Sequence, residues 1–214
     1  EFLHTSKSGR STVGGLEPSD KAFDKVVVFE QHQTVGGVWA TDLSKEEYKL
    51  TPLNVLESGK YNTIEGIKRY GEFPSEEQLK ASSFKSQIVR KTDPKYQQWN
   101  KSPVYPTLYT NVPGKFMRYS SWNEKTSYPQ TNEKLNPLVK YTEIYQFFEN
   151  FSTENDLKKH IRFHSEVVDA SKDPIDGKWN VLVRSTTEDG TDAWYREKFD
   201  AVVVAAGHYT IPYF

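Results

Sequence analysis

The stretch from Val26 to Trp39, VVVFEQHQTVGGVW, restricts the possible folds more than any other part of the chain. A continuous apolar, β-branched run such as Val26 to Phe29 is the pattern of a strand buried in a parallel sheet. Glu30 ends the run, and a carboxylate at the carboxyl end of such a strand is placed to accept hydrogen bonds from both hydroxyls of a ribose. After a short polar loop come Gly36 and Gly37. Residues without a Cβ admit positive φ and the close approach of a ligand, and Trp39 beside them can wall an apolar pocket. For the first five residues alone, a plain strand with a charged end is the simpler reading. With Gly-Gly-x-Trp attached, the stretch reads as half of a dinucleotide site.

Composition bounds what the rest can do. The chain has 214 residues, enough for one large domain or two small ones with a sizeable core. A net charge of −1, with Lys+Arg 28 against Asp+Glu 29, leaves no electrostatic footprint for nucleic acid. The sequence contains no apolar run long enough to span a membrane and no signal-peptide pattern. It holds no cysteine, which removes disulfides, thiolate metal sites and a redox dithiol from the possible chemistries. No His, Asp and Glu cluster has metal-ligand spacing, so no metal is expected. A cytoplasmic setting fits, with the cytosolic face of the endoplasmic reticulum as a variant of it.

Upstream of Val26 the expected partner of Glu30 is not recognisable. Gly9, Gly14 and Gly15 fall as G-x-x-x-x-G-G and not as the G-x-G-x-x-G of a phosphate-binding turn. Gly15 precedes Glu30 by 15 residues, whereas about 20 separate such a turn from its ribose acid. Residues 1–25 are therefore expected to be poorly structured, a degenerate remnant of a first βα unit. Residues 41–102 are rich in Lys, Glu, Ser and Gln and read as a polar surface insertion, with a helix over Ser75 to Arg90 capped by Ser75.

Pro103 to Tyr119, PVYPTLYTNVPGKFMRY, is punctuated by prolines that impose extended or turn geometry. Taken alone, Asn111 ahead of Pro113 is most simply a turn residue. A helix starting near Thr142 carries Ile144, Phe147, Phe148 and Phe151 on one face, which reads as core. A strand follows from Ile161 to Val168, with His164 on its face. Two more strands, Lys178 to Ser185 and Ala193 to Lys198, are joined through Asp189-Gly190 as an antiparallel excursion. Phe199 to His208, FDAVVVAAGH, then reads as a buried parallel strand ending in small residues that admit a ligand.

Three of these motifs resemble, in order, those of flavin-containing monooxygenases of the fungal type: Glu30 with Gly-Gly-x-Trp39, the run Tyr105-x-x-Leu-x-Thr-Asn-x-Pro113, and F-D-x-V-V-V-A-x-G-H ahead of Pro212. The resemblance implies an α/β fold, a Rossmann-like FAD-binding domain over residues 26–214 with its first strand and glycine turn missing or degenerate. It implies FAD and NADPH as cofactors, and O₂ with a small amine, thiol or sulfide as substrates. In such enzymes reduced FAD and O₂ form a C4a-hydroperoxide that passes one oxygen atom to the nucleophile. By the same resemblance Glu30 holds the FAD ribose, Gly36, Gly37, Val38 and Trp39 pass close to the flavin end, and Val167 meets the adenine. Thr110 and Asn111 lie near the isoalloxazine, with Asn111 the catalytic candidate. The NADPH-binding fold is not found in the sequence, so the chain is expected to be a fragment. Two other readings stay open: a Baeyer-Villiger-type flavin monooxygenase, and a non-catalytic fragment that does not hold FAD.

Overall fold

The computed structural model describes residues 5–9, 20–40, 73–92, 102–117, 137–187 and 189–207. Gly14, Gly15, His208 and most of residues 41–102 lie outside the described residues. The described strands are β1 (Val28–Phe29), β2 (Ile88–Lys91), β3 (Tyr109–Pro113), β4 (Leu138–Lys140), β5 (Ile161–Arg162), β6 (Ser165–Lys172), β7 (Trp179–Thr186) and β8 (Thr191–Phe199). The helices are α1 (Glu76–Ala81) and α2 (Tyr141–Glu154), with short 3₁₀ turns at Gly37–Trp39, Gly114–Phe116 and Lys158–His160. The chain divides into two units, one of Glu1–Val28 with Val104–Arg162, the other of Phe29–Pro103 with Phe163–Phe214.

The second unit is built on a four-stranded antiparallel sheet in the order β2-β8-β7-β6. β7 lies between two neighbours and is buried through its middle, which explains its unbroken Val181-Leu182-Val183. Because side chains alternate, those three residues serve opposite faces. Leu182 packs with Leu79 of α1 and Trp194 of β8, joined by Ile88 and Val168. Val181 and Val183 pack with Tyr195 on the other face, joined by Phe29, Trp179, Phe199 and Val202. The Phe29 and Phe199 rings meet edge to face at 5.9 Å. The β7–β8 loop closes as its Asp189-Gly190 foretold, with Gly190 at φ 77° and the Asp189 carboxylate accepting from the Thr191 amide at 3.1 Å.

Three sequence expectations are corrected in this unit. The helix over Ser75 to Arg90 ends at Ala81. Its start is as expected, because the Ser75 hydroxyl accepts from the Gln78 amide and the Gln78 side chain accepts from the Ser75 amide. The Ser83–Ser86 turn then reverses the chain, and the β-branched Ile88-Val89 pair along the edge of β8. The single strand expected over Ile161 to Val168 is broken at His164, which adopts φ 51°. His164 is thus a turn residue: its amide donates to His32 O at 3.0 Å and its carbonyl accepts from the Thr186 amide at 3.1 Å. The buried parallel strand expected from Phe199 onward does not form over residues 200–207, where Val203 and Val204 are 66 % and 85 % exposed. A strand exists only through hydrogen bonds to a neighbour, and no sheet among the described residues includes this segment. Parallel pairing among the described residues is the two-stranded β1–β5 sheet.

In the first unit, β3 and β4 form an antiparallel pair that leads directly into α2. The Glu143 carboxylate accepts from the Lys140 amide at 2.8 Å, and the Tyr141 amide donates to Leu108 O at 3.2 Å, so the helix start is tied to the approach of β3. The expected apolar face is buried at Ile144 and Phe147, with Phe148 and Phe151 half-buried beside them. Among the described residues no helix is long and apolar enough to cross a membrane.

Candidate functional site

In the second unit, anchoring the Phe29 ring against Phe199 leaves Glu30 half-buried at the end of β1. Glu30 is then held from two sides. Its Oε1 accepts from the His32 amide at 2.8 Å, and its backbone carbonyl accepts from the Ser165 amide at 2.8 Å. The structure therefore brings Glu30 to the start of β6, two residues before Val167. One amide occupies one of the roughly four lone-pair positions of a carboxylate, which leaves acceptors for a diol.

Gly36 and Gly37 take φ 109° and 54° in succession and open the 3₁₀ turn Gly37–Trp39. Side chains with a Cβ rarely adopt either angle, which is the physical reason for two glycines. The turn is closed by amides of Trp39 and Ala40 donating to the carbonyls of Gly36 and Gly37, each at 3.1 Å. Gly37 is exposed, and a Cβ there would meet no described atom within 4 Å. A bare, open backbone of this kind suits close approach by a ligand. The Ser102 hydroxyl donates to the Val38 carbonyl and braces the turn. Sequence reasoning missed Ser102, because a serine before a proline in a polar stretch carries no sign of a partner so far along the chain.

Val167 lies on β6, the edge strand of its sheet, opposite Val183 and 42 % exposed. The register slips between Val167 and Asp169, and Val168 turns onto the Leu79, Leu182 and Trp194 cluster. An edge strand presents one row of backbone donors and acceptors outward, the kind of group that reads a base edge.

Thr110 and Asn111 belong to the first unit, on β3. Thr110 is 5 % exposed, and its hydroxyl is engaged in both directions. It donates to Val112 O at 2.8 Å and accepts from the Val139 amide at 3.0 Å. Its only proton being spent, Thr110 has none to donate to a flavin. Asn111 is exposed, and no hydrogen bond among the described residues engages its side chain.

Four carboxyls among the described residues are held below their ordinary range. A hydrogen bond from the Lys198 ammonium, then one from the Ile175 amide, bring Asp173 down to about 2. Asp176 is lowered chiefly by the same ammonium, Asp189 by the hydroxyls of Thr187 and Thr191, and Glu76 by Arg196. Asp173 is half-buried and the other three are exposed; all four stabilise turns or ion pairs. Among the described residues no group of His, Asp and Glu is placed to hold a metal ion.

Residues 91–214 match the family model described as Flavin-binding monooxygenase-like. The chain belongs to that family. The match contains Thr110, Asn111 and Val167, while Glu30 and the Gly36–Trp39 turn precede it. Similar proteins of Arabidopsis thaliana include the flavin-containing monooxygenase FMO GS-OX2, 33 % identical over 111 residues, and FMO GS-OX5, 36 % identical over 113 residues. Each alignment covers 52 % of this chain and 23 % of the relative, so the chain spans about a quarter of the length of these curated proteins. A solved S-allyl-L-cysteine S-oxygenase from Allium sativum superposes on 88 % of this chain and 32 % of its own, at 22 % identity and a TM-score of 0.49. In this member of the flavin-binding monooxygenase-like family, Glu30 and the β6 edge fit the adenosine end of a flavin dinucleotide, and the open glycine backbone fits its close approach. Thr110 does not fit as a donor to it.

Proposed function

We propose that this chain is the Rossmann-like FAD-binding part of a flavin-containing monooxygenase that uses NADPH and O₂ to oxygenate a small amine, thiol or sulfide. The observation that carries the reading is Glu30, a carboxylate at a strand end, stapled through Ser165 to the edge strand that holds Val167. FAD, when bound, supplies the oxygen-activating chemistry, and the protein binds, orients and excludes water. In this reading Glu30 accepts from the ribose hydroxyls, and the backbone of Val167 meets the adenine. The turn Gly36, Gly37, Val38 and Trp39 lets the cofactor approach the main chain. Asn111 presents its amide, one donor group and one acceptor, to the reacting end.

The same proposal takes residues 26–214 as the FAD-binding domain and 1–25 as the remnant of a first βα unit. It takes 41–102 as a polar excursion of which Ile88–Lys91 pairs with the sheet. The fungal type and a cytoplasmic setting belong to it as well; the former rests on the order of the motifs.

One observation favours a second reading, a chain that does not hold FAD by itself: residues 200–207 form no strand, and Val203 and Val204 stand exposed. The visible spectrum of the purified chain decides between the two. Yellow protein, or colourless protein that takes up added FAD with quenching of flavin fluorescence, supports cofactor binding. Protein that stays colourless through an FAD titration leaves only the second reading.

A further inference from the structure

The register of β3 on β4 contains an irregularity centred on Asn111. Tyr109 is opposite Lys140 and Pro113 is opposite Leu138, so Thr110, Asn111 and Val112 together face Val139 alone. A regular antiparallel ladder would set Asn111 against Leu138, two places earlier than the observed partner, Pro113. The Val139 amide is wholly buried and needs an acceptor, and it finds the Thr110 hydroxyl at 3.0 Å in place of a ladder carbonyl. The same hydroxyl donates to Val112 O at 2.8 Å, closing a small ring around Asn111. Thr110 is buried and Asn111 exposed, so the ring holds one residue in and turns the other out. Pro113 has no N–H to offer at the end of the bulge, and the Gly114 amide resumes the pairing by donating to Pro137 O at 3.0 Å.

We infer that Thr110 is a positioning residue: its hydroxyl substitutes for a ladder hydrogen bond, builds the bulge and thereby aims the Asn111 amide away from the sheet. Bulges re-aim side chains in this way beside active sites. The functional meaning of the inference rests on the reading of Asn111 as the catalytic amide; its geometry does not. The spacing Thr-Asn-x-Pro then has a mechanical account. Threonine supplies a donor and an acceptor on a stiff, β-branched side chain, asparagine is the residue expelled, and proline ends the bulge without leaving a buried donor.

The test uses the full ¹⁵N-labelled chain without cofactor, so failure to bind FAD does not affect it. Thr110→Val removes the hydroxyl at nearly constant shape, and Thr110→Ser keeps it. Thr110→Val is expected to speed exchange of the Val139 amide by about tenfold, the effect of one lost hydrogen bond, and to shift the Asn111 side-chain NH₂ signals. The α2 amides from Ile144 to Phe151 should stay protected, and Thr110→Ser should restore both readouts. Asn111 signals that stay in place while Val139 loses protection would reduce Thr110 to a structural clasp and overturn the inference. So would unchanged Val139 protection. Should Thr110→Val fail to fold, the unmodified chain decides: a Val139 amide exchanging as fast as an exposed one overturns it, and a protected one alongside a folded Thr110→Ser with unmoved Asn111 signals sustains it.

Discussion

At the scale of single residues, Gly36 and Gly37 show how a local requirement reads directly from sequence. Two positive φ values in succession are accessible to glycine and costly to other residues, so the pair announces its own geometry. Space is not the constraint at Gly37, because an added Cβ would meet no described atom within 4 Å. Gly37→Ala is therefore expected to cost about 1–2 kcal/mol through backbone strain alone, measured by urea denaturation; a neutral result would mean the turn is not formed as described. Glu30 is proposed as the ribose acceptor from its place after an apolar run. Glu30→Ala should leave the fold intact and weaken FAD binding by roughly 10- to 100-fold, as for loss of a charged hydrogen-bond acceptor. Equal affinity of the two proteins in a fluorescence titration would remove Glu30 from the site. Thr110 was legible only as a polar residue among apolar ones, because its decisive partner, Val139, is 29 residues away.

At the scale of elements, the four-stranded sheet is tied across β6, β7 and β8 by a buried charge cluster. Arg184, 2 % exposed, places Nε 2.9 Å from Asp192 and Nη1 3.6 Å from Glu166, with its guanidinium over the Trp194 ring. Asp192 also accepts from the hydroxyls of Thr92 at 3.0 Å and Thr186 at 3.3 Å. Removing one member strands the others in a poorly solvated place, so Arg184→Ala should destabilise the chain by about 3–5 kcal/mol. A loss below about 1 kcal/mol in chemical denaturation would show the cluster to be solvated. The sheet's outer turn has a pH signature. Asp173, lowered from 3.8 to about 2 by Lys198 and the Ile175 amide, contributes stability that is present above pH 3.8 and lost as pH falls towards 2. Lys198 is raised above 10.5, first by Asp173 and then by Asp176, so its contribution is present below that value and lost as pH rises beyond it. Lys198→Met should flatten the dependence of stability on pH between 4 and 2; an unaltered acid limb in thermal melts would place its origin elsewhere.

At the scale of the whole molecule, Val203 and Val204 bear on how complete the fold is. A β-branched run with this composition is strand-like by propensity, yet propensity acts only where a neighbour offers hydrogen bonds and a surface to pack on. With Val203 66 % exposed, Val203→Ser is expected to change stability by less than about 0.5 kcal/mol. A cost above about 1.5 kcal/mol in urea denaturation would show that the segment is packed in solution and that the sheet extends further. By itself the sequence determined the pieces whose causes are close along the chain: the Ser75 cap of α1, the apolar face of α2, the Asp189-Gly190 connection and the glycine turn after Glu30. Only the tertiary structure decided the pieces whose causes lie far apart. These are the pairing of Ile88–Lys91 with β8, the turn at His164, the bulge that expels Asn111, and the absence of a strand over 200–207. Caps, turns and helix faces are satisfied within a few residues, whereas a strand's register and even its existence depend on which backbone groups another segment brings to it.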